Sequence, residues 1–464
     1  MHLLRKIITH LPKAISGKET DVTTGSIRRA IFLLSVPMVL EMMMESIFFL
    51  VDAYFVSSLG ANAIATVGLT ESVLTLVYAV AIGLSMGVTA IVARRIGEKD
   101  VRSAAHTAVQ SIYLGVLIAI LVSIVGMLFP KEILALMGGE ADLVAEGYGY
   151  TQILLGGNVT IMLLFIINAI FRGAGDASVA MRVLIFSNLL NIGLDPLFIF
   201  GWGPIPAFGV KGAAIATTIG RGSAVIFQLL ILFYGWSRIK ITLRDVGVQF
   251  QLMMKLVKVS LGGIGQFIIG TSSWVFLMRI MAEFGSEVLA GYTIAIRVLM
   301  FTLMPSWGMS NAAATLVGQN LGARQPERAE RSVWKTSKYN AWFMAAVSVF
   351  YLVFAERILQ IFSENPAVIE NGALSLRVIA AGYVAYAYGM VVIQAFNGAG
   401  NTRTPTIINF FCFWLFQLPV AYVASIQLEW GAFGVLLAIT AAEILIAIVG
   451  IIWFKRGRWK LVEV

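Results

Sequence analysis

Charge is what this sequence has least of. Only 13% of its 464 residues are Asp, Glu, Lys or Arg, while 59% are hydrophobic and the mean hydropathy is +0.86. A water-soluble chain of this length needs far more charge to cover its surface, so a soluble multidomain protein is excluded. Cysteine is almost missing. The single Cys412 lies inside an apolar run, which excludes a disulfide framework and a cysteine-based metal site. The three histidines form no cluster, and no nucleophile–base pair or phosphate loop appears. Neither an enzyme nor a bound cofactor is indicated. Segments of about ten residues in strict alternation, the mark of a transmembrane barrel, are also missing.

Long apolar runs are what the sequence has instead. They fall near 30–56, 64–91, 106–129, 148–170, 183–201, 212–235, 257–281, 288–316, 336–354, 374–396, 405–427 and 430–453. About 20 apolar residues cross the hydrocarbon as a helix, which satisfies its own backbone groups there. The expected fold is an all-α membrane protein of twelve transmembrane helices. The net charge of +9 would point to nucleic acid in a soluble protein. Here 27 of the 34 Lys and Arg residues lie in connections on one side of the spans. The opposite connections are acidic, with Glu140, Asp142, Glu146, Glu364 and Glu370. The positive-inside rule therefore puts both termini in the cytoplasm of a multi-pass cell-membrane protein. Residues 1–28 show no small-residue cleavage site and are not expected to be a removable signal. Leu3, Leu4, Ile7, Ile8 and Leu11 interleave with Arg5, Lys6 and Lys13, which suits a surface-lying helix or a solvated tail equally.

The two halves repeat at a constant offset of 225 residues. Gly60 falls on Gly285, Gly97 on Gly322, Ala104 on Ala329, and Phe171–Gly175 on Phe396–Gly400 apart from one position. Two pseudo-symmetric six-helix bundles follow, with the pseudo-two-fold along the membrane normal. The expected division is a cytoplasmic segment 1–29, a lobe 30–235, a cytoplasmic linker 236–256, a lobe 257–453 and a cytoplasmic tail 454–464. Sites in such transporters lie between the repeats near the midplane.

An ionisable group within a span costs about 2.5–3.5 kcal/mol or more, so it is a functional candidate by default. Asp52 in the first span corresponds to Leu277, and Asp195 in the fifth to Leu418 once Pro196 is set on Pro419. The first half keeps acids where the second keeps aliphatics, which scaffolding alone does not require. Asn191 and Asp195 are spaced i, i+4 on one helical face, and Pro196 frees the carbonyl of Ile192. A carboxylate, an amide oxygen and a loose carbonyl suit Na⁺ or a proton. Glu41, Glu45, Phe48 and Asp52 line one face of the first span, with Pro37 as a potential kink one turn below. Facing carboxylates in low dielectric require a shared proton or a bridging cation. Methionine is abundant, with Met42, Met43 and Met44 in a row, and flexible thioethers suit promiscuous apolar contact.

At this point the chain resembles the multidrug and toxic compound extrusion (MATE) family over nearly all of residues 30–453. The carriers are VDAYFVSSLG (51–60), FRGAGDA (171–177), NIGLDPLFIFG (191–201), GVKGAAIAT (209–217), LVGQNLGA (316–323) and NGAGNTRTP (397–405). The resemblance implies two lobes about a central cleft that opens alternately to either side. It implies export of organic cations and amphipathic compounds, driven by inward H⁺ or Na⁺, by a monomer in the lipid bilayer. Confinement of the acids to the first half is similar to the DinF-like branch, which implies a cation site at Asp52, Asn191, Asp195 and Thr217. Tyr150 matches an aromatic position near it, and Pro37 the point where the first helix bends. Glu45 and Phe48 stand where glutamine and tyrosine are more usual, and Arg221 in the sixth span is a departure. Glu443 in the last span is an isolated acid, read as paired locally. The competing reading is a lipid-linked oligosaccharide flippase of the same superfamily. It would need several cavity arginines, for which Arg221, Arg279 and Arg297 are available.

Overall fold

In a computed structural model, which describes residues 21–464, the chain is helical nearly throughout. The amphipathic stretch within residues 1–20 lies outside the described residues. Twelve spans follow in order: α1 Ile27–Ser57, α2 Ala61–Gly97, α3 Val101–Leu128, α4 Ala141–Ala174, α5 Ala177–Phe200, α6 Val210–Tyr234, α7 Phe250–Ala282, α8 Ser286–Gly322, α9 Pro326–Gln360, α10 Pro366–Gly398, α11 Arg403–Gln427 and α12 Gly431–Lys455. The tenth is broken into Pro366–Ala381 and Tyr383–Gly398, bent by 56° about Gly382. Its counterpart α4 is interrupted at Gly157 and Asn158 without a comparable bend. Pro37 and Pro196 lie inside α1 and α5, and both helices continue through them.

Apolar burial organises the spans into two bundles. One core gathers Leu74, Ile91, Leu164, Ile167 and Leu232 from the first half. Another gathers Leu277, Met344, Leu376 and Leu436 from the second. The repeat extends to backbone conformation. Positive φ recurs at Gly60 and Gly285, at Lys99 and Arg324, and at Gly175 and Gly400, each pair 225 apart. The fold is thus a twelve-helix membrane protein built from two pseudo-symmetric six-helix bundles.

The bundles meet through glycines used twice. A Cβ on Gly83 of α2 would overlap Ile264 of α7, and one on Gly308 of α8 would overlap Met38 and Val39 of α1. Likewise Gly97 abuts the carbonyl of Gln319, while Gly322 abuts that of Arg94. Each contact is the other's image under the 225-residue shift, as in an isologous dimer. Only a residue without a side chain permits such backbone approach.

These approaches gather toward the end of the bundles that carries the basic connections. Thr315 Oγ1 of α8 donates to the Arg172 carbonyl at 3.1 Å, and Gln319 Nε2 to the Gly173 carbonyl at 2.8 Å. At the same end Arg328 of α9 donates to the carbonyls of Val22, Thr24 and Gly25, just before α1. The C-terminal segment docks there too. Trp459 is fully buried and stacks on Phe454 with centroids 4.6 Å apart. Lys460 Nζ lies 2.6 Å from Glu330, while Arg94 and Arg95 of the first bundle donate to the carbonyls of Val462 and Val464. The tail therefore holds both bundles at once.

Candidate functional site

Between the bundles lies a cavity of about 680 Å³. Thr75, Tyr78, Ile82, Met86 and Thr89 present one helical face of α2 to it, and α1, α4, α5, α7, α8, α10, α11 and α12 complete the walls. Four charged residues line it: Glu41, Glu45, Arg172 and Glu443. Glu41 is buried and accepts from Arg172 Nη1 at 2.6 Å. Arg172 does not belong to a connection, as its place beside the GAG turn implies. α4 continues to Ala174, so its last turn carries the guanidinium inside the protein.

Beside this cavity the first bundle holds a polar cluster. Asn191 Nδ2 donates to Asp195 Oδ1 at 3.2 Å, and both residues are fully buried. The i, i+4 spacing on α5 makes this contact inevitable. Asp195 Oδ2, Asn191 Oδ1 and Asp52 Oδ1 are buried without a hydrogen-bonding partner among the described residues. Asp52 lies close enough for its charge to act on Asp195. Thr217 is buried on α6, one turn before Gly220, whose missing side chain lets α6 pack on Asn191. Tyr150 is buried within electrostatic reach of Asp52. Three unsatisfied oxygens, one on each of two carboxyl groups and one on an amide, suit a proton or a small cation.

Arg221 is the cluster's cation. It is buried on α6, donates from Nη1 to the Tyr78 hydroxyl at 3.0 Å, and has Nη2 3.7 Å from Glu45. Its guanidinium sits 4.8 Å from the centroid of Phe48, a cation–π contact. Its charge also reaches Glu71 and Asp52. Of the residues expected to line the pocket, Glu41 and Glu45 do so. Phe48 lies under Arg221, and Tyr150 sits deeper in the bundle. Met44 turns into the first apolar core, and Met42 faces this cavity instead. Arg279 and Arg297 are exposed and line no part of it, so the cavity arginines expected of a flippase come down to Arg172.

Two residues of the cluster escaped the sequence reading. Glu71 and Tyr78 are seven apart on α2 and share a face, and the rule that flagged Asp52 applies equally to Glu71. Glu443, expected to be paired locally, has no cationic partner among the described residues.

Known proteins resemble this chain in sequence and fold. Residues 37–197 and 264–423 match the MatE family profile. The probable multidrug resistance protein NorM of Thermotoga maritima is 28% identical over 94% of this chain and 93% of its own. The multidrug export protein MepA of Staphylococcus aureus is 22% identical over 93% of this chain and 94% of its own. An outward-facing multidrug resistance MATE family transporter of the MOP superfamily superposes with a TM-score of 0.89 at 28% identity, covering 96% of this chain and all of the other. A MOP superfamily transporter from Pyrococcus furiosus, described by the reverse polarity of its binding pocket, superposes at 0.87 with 28% identity over 96% of this chain and all of its own.

Proposed function

Because this chain belongs to the MatE family, we propose that it is a secondary active exporter of organic cations and amphipathic compounds, driven by H⁺ or Na⁺ moving inward. As a multi-pass membrane transporter it is not an enzyme. The observation that carries the coupling is the pair of acids in the first bundle, half-buried Asp52 and buried Asp195, each with one unpartnered buried oxygen and with a third on Asn191 beside them. Asn191 holds one Asp195 oxygen and leaves the other free for an ion. An ion arriving there neutralises charge between α1 and α5, and it can drive transport only by favouring one arrangement of the bundles over another. Pro37 on α1 offers the point of flexure, and Thr217 the neighbouring hydroxyl.

The basic connections face the cytoplasm in this reading, with both termini there. Closure of the bundles at that end, and the likeness to an outward-facing relative, support an outward-facing state. A cavity with three acids against one arginine supports cationic cargo over a diphosphate headgroup. The cavity and ion cluster are complete within one chain, which supports a working monomer in the cell membrane.

Ethidium efflux from purified protein in vesicles, under an imposed H⁺ or Na⁺ gradient applied separately, tests the reading. Efflux under one gradient is expected. No movement of any cationic dye under either, by properly inserted protein, would overturn it.

A further inference from the structure

The repeat places a carboxylate in the second bundle where the first has its buried arginine. The 225-residue offset no longer holds by α6, and the structure supplies the new register. Gly157, at the break of α4, faces Thr218 of α6. Gly382, at the break of α10, faces Thr440 of α12. Thr218 donates to the carbonyl of Ala214, and Thr440 to that of Leu436. Gly212 and Gly434 are likewise both pressed against the backbone of the preceding span. Thr218 and Thr440, Ala214 and Leu436, and Gly212 and Gly434 are each 222 apart, and the same shift sets Arg221 on Glu443.

In the first bundle the guanidinium of Arg221 has its own carboxylate and its own rings, in Glu45, Phe48 and Tyr78. The second bundle inverts this. Glu443 lines the cavity and lies within electrostatic reach of Tyr386, which lines it too. At the position equivalent to Glu45 stands Gly270, a lining residue whose absent side chain would meet nothing within 4 Å. Elsewhere in the cavity Glu41 has Arg172, and Glu45 has Arg221 behind it. Among the described residues, Glu443 alone of the lining acids has no cationic partner. A carboxylate on a low-dielectric wall is stable when something neutralises it. Trp274, Tyr383 and Phe413 line the same cavity. They supply faces to which an organic cation is attracted.

We propose that Glu443, with Tyr386 and the space left by Gly270, forms a subsite in the second bundle for a monovalent aromatic organic cation, a ligand that takes there the place Arg221 takes in the first bundle. This deepens the export reading and rests on it. The ion cluster at Asp52 and Asp195 is separate from it, so substrate and coupling ion would be held in different bundles.

Equilibrium binding to the purified full chain decides the matter, with tetraphenylphosphonium as cation and triphenylphosphine oxide as neutral control. Glu443→Gln should weaken tetraphenylphosphonium binding at least about tenfold, or 1.4 kcal/mol, with binding of the neutral control unchanged. Glu443→Asp should retain part of the affinity. Gly270→Leu should weaken both ligands by filling the space, independently of how Glu443→Gln behaves. Cation binding within twofold of wild type in both Glu443→Gln and Gly270→Leu would overturn the subsite while leaving the export reading intact. Failure of the wild-type chain to bind or export any organic cation would instead overturn the reading on which the subsite rests.

Discussion

Arg172 and Glu41 meet at 2.6 Å in the interior of the first bundle, at the place where Asn397 and Gln266 exchange two amide hydrogen bonds in the second. The same two helices are tied in each bundle, once by charge and once without it. Removing one partner of a buried ion pair costs about 3–5 kcal/mol because the other charge is left uncompensated. Arg172→Asn alone should therefore lower the thermal unfolding midpoint of the purified protein markedly. The double variant Glu41→Gln/Arg172→Asn, which installs the pair of the second bundle, should recover most of that loss. A double variant no more stable than the single one would show that the charge itself is needed.

Asp52→Asn and Asp195→Asn should each abolish gradient-driven dye export while the protein stays in the membrane at wild-type amounts. Efflux from vesicles and membrane immunoblots read the two quantities separately. Wild-type export by either variant would remove that residue from the coupling.

Arg221 answers to Glu45, Glu71 and Asp52 together. Its planar fork binds Tyr78 while stacking on Phe48, and a lysine cannot reproduce that geometry. Arg221→Gln should destabilise the protein by roughly 3–5 kcal/mol, and Arg221→Lys should restore only part of this. Full rescue by lysine in thermal unfolding would mean that point charge alone matters.

The docked tail yields a pH-dependent prediction. Glu330 precedes the apolar run 336–354 and so lies outside the membrane-spanning part of α9, where the hydrogen bond from Lys460 holds its carboxyl below its ordinary range. A depressed acid contributes stability above its unfolded pKa, and that contribution fades as pH falls through the folded value. Tail docking should therefore be intact at neutral pH and loosen under strong acid. Protease protection of the last residues follows it. Trp459→Ala should cost about 3–5 kcal/mol and expose the tail at neutral pH. Equal protection in variant and wild type would sink the idea that Trp459 anchors it.

Side chains at the paired glycines should block closure of the bundles. Gly83→Val and Gly308→Val should act alike, since each abuts the other bundle's equivalent helix. Cysteine labelling of the cavity from the side that carries the basic connections should rise in both. A rise in only one would contradict the symmetry of the contact.

Much of this was legible in the sequence, and the exceptions have physical reasons. Hydropathy alone marks the spans, because lipid demands apolar runs of fixed length. The constant offset marks the two bundles down to the positive-φ residues at equivalent turns. Asp52 and Asp195 stand out because aliphatics replace them in the repeat. Glu71 was overlooked among polar neighbours, Thr70 and Ser72, although it lies within the second span. Arg172 stands next to a glycine turn, where a connection is expected, and only the length of α4 shows that it turns inward. The match of Arg221 with Glu443 was hidden by unequal connections. Residues 201–209 join α5 to α6, whereas only 428–430 join α11 to α12, and this breaks the register.

The reciprocal glycine contacts show a molecule assembled as a homodimer is, yet written as one polypeptide. A true homodimer must carry every acid and every arginine in duplicate, one set per copy. Joining the copies removes that obligation, and each half becomes free to specialise; in the proposed reading one holds the driving ion and the other receives the cargo.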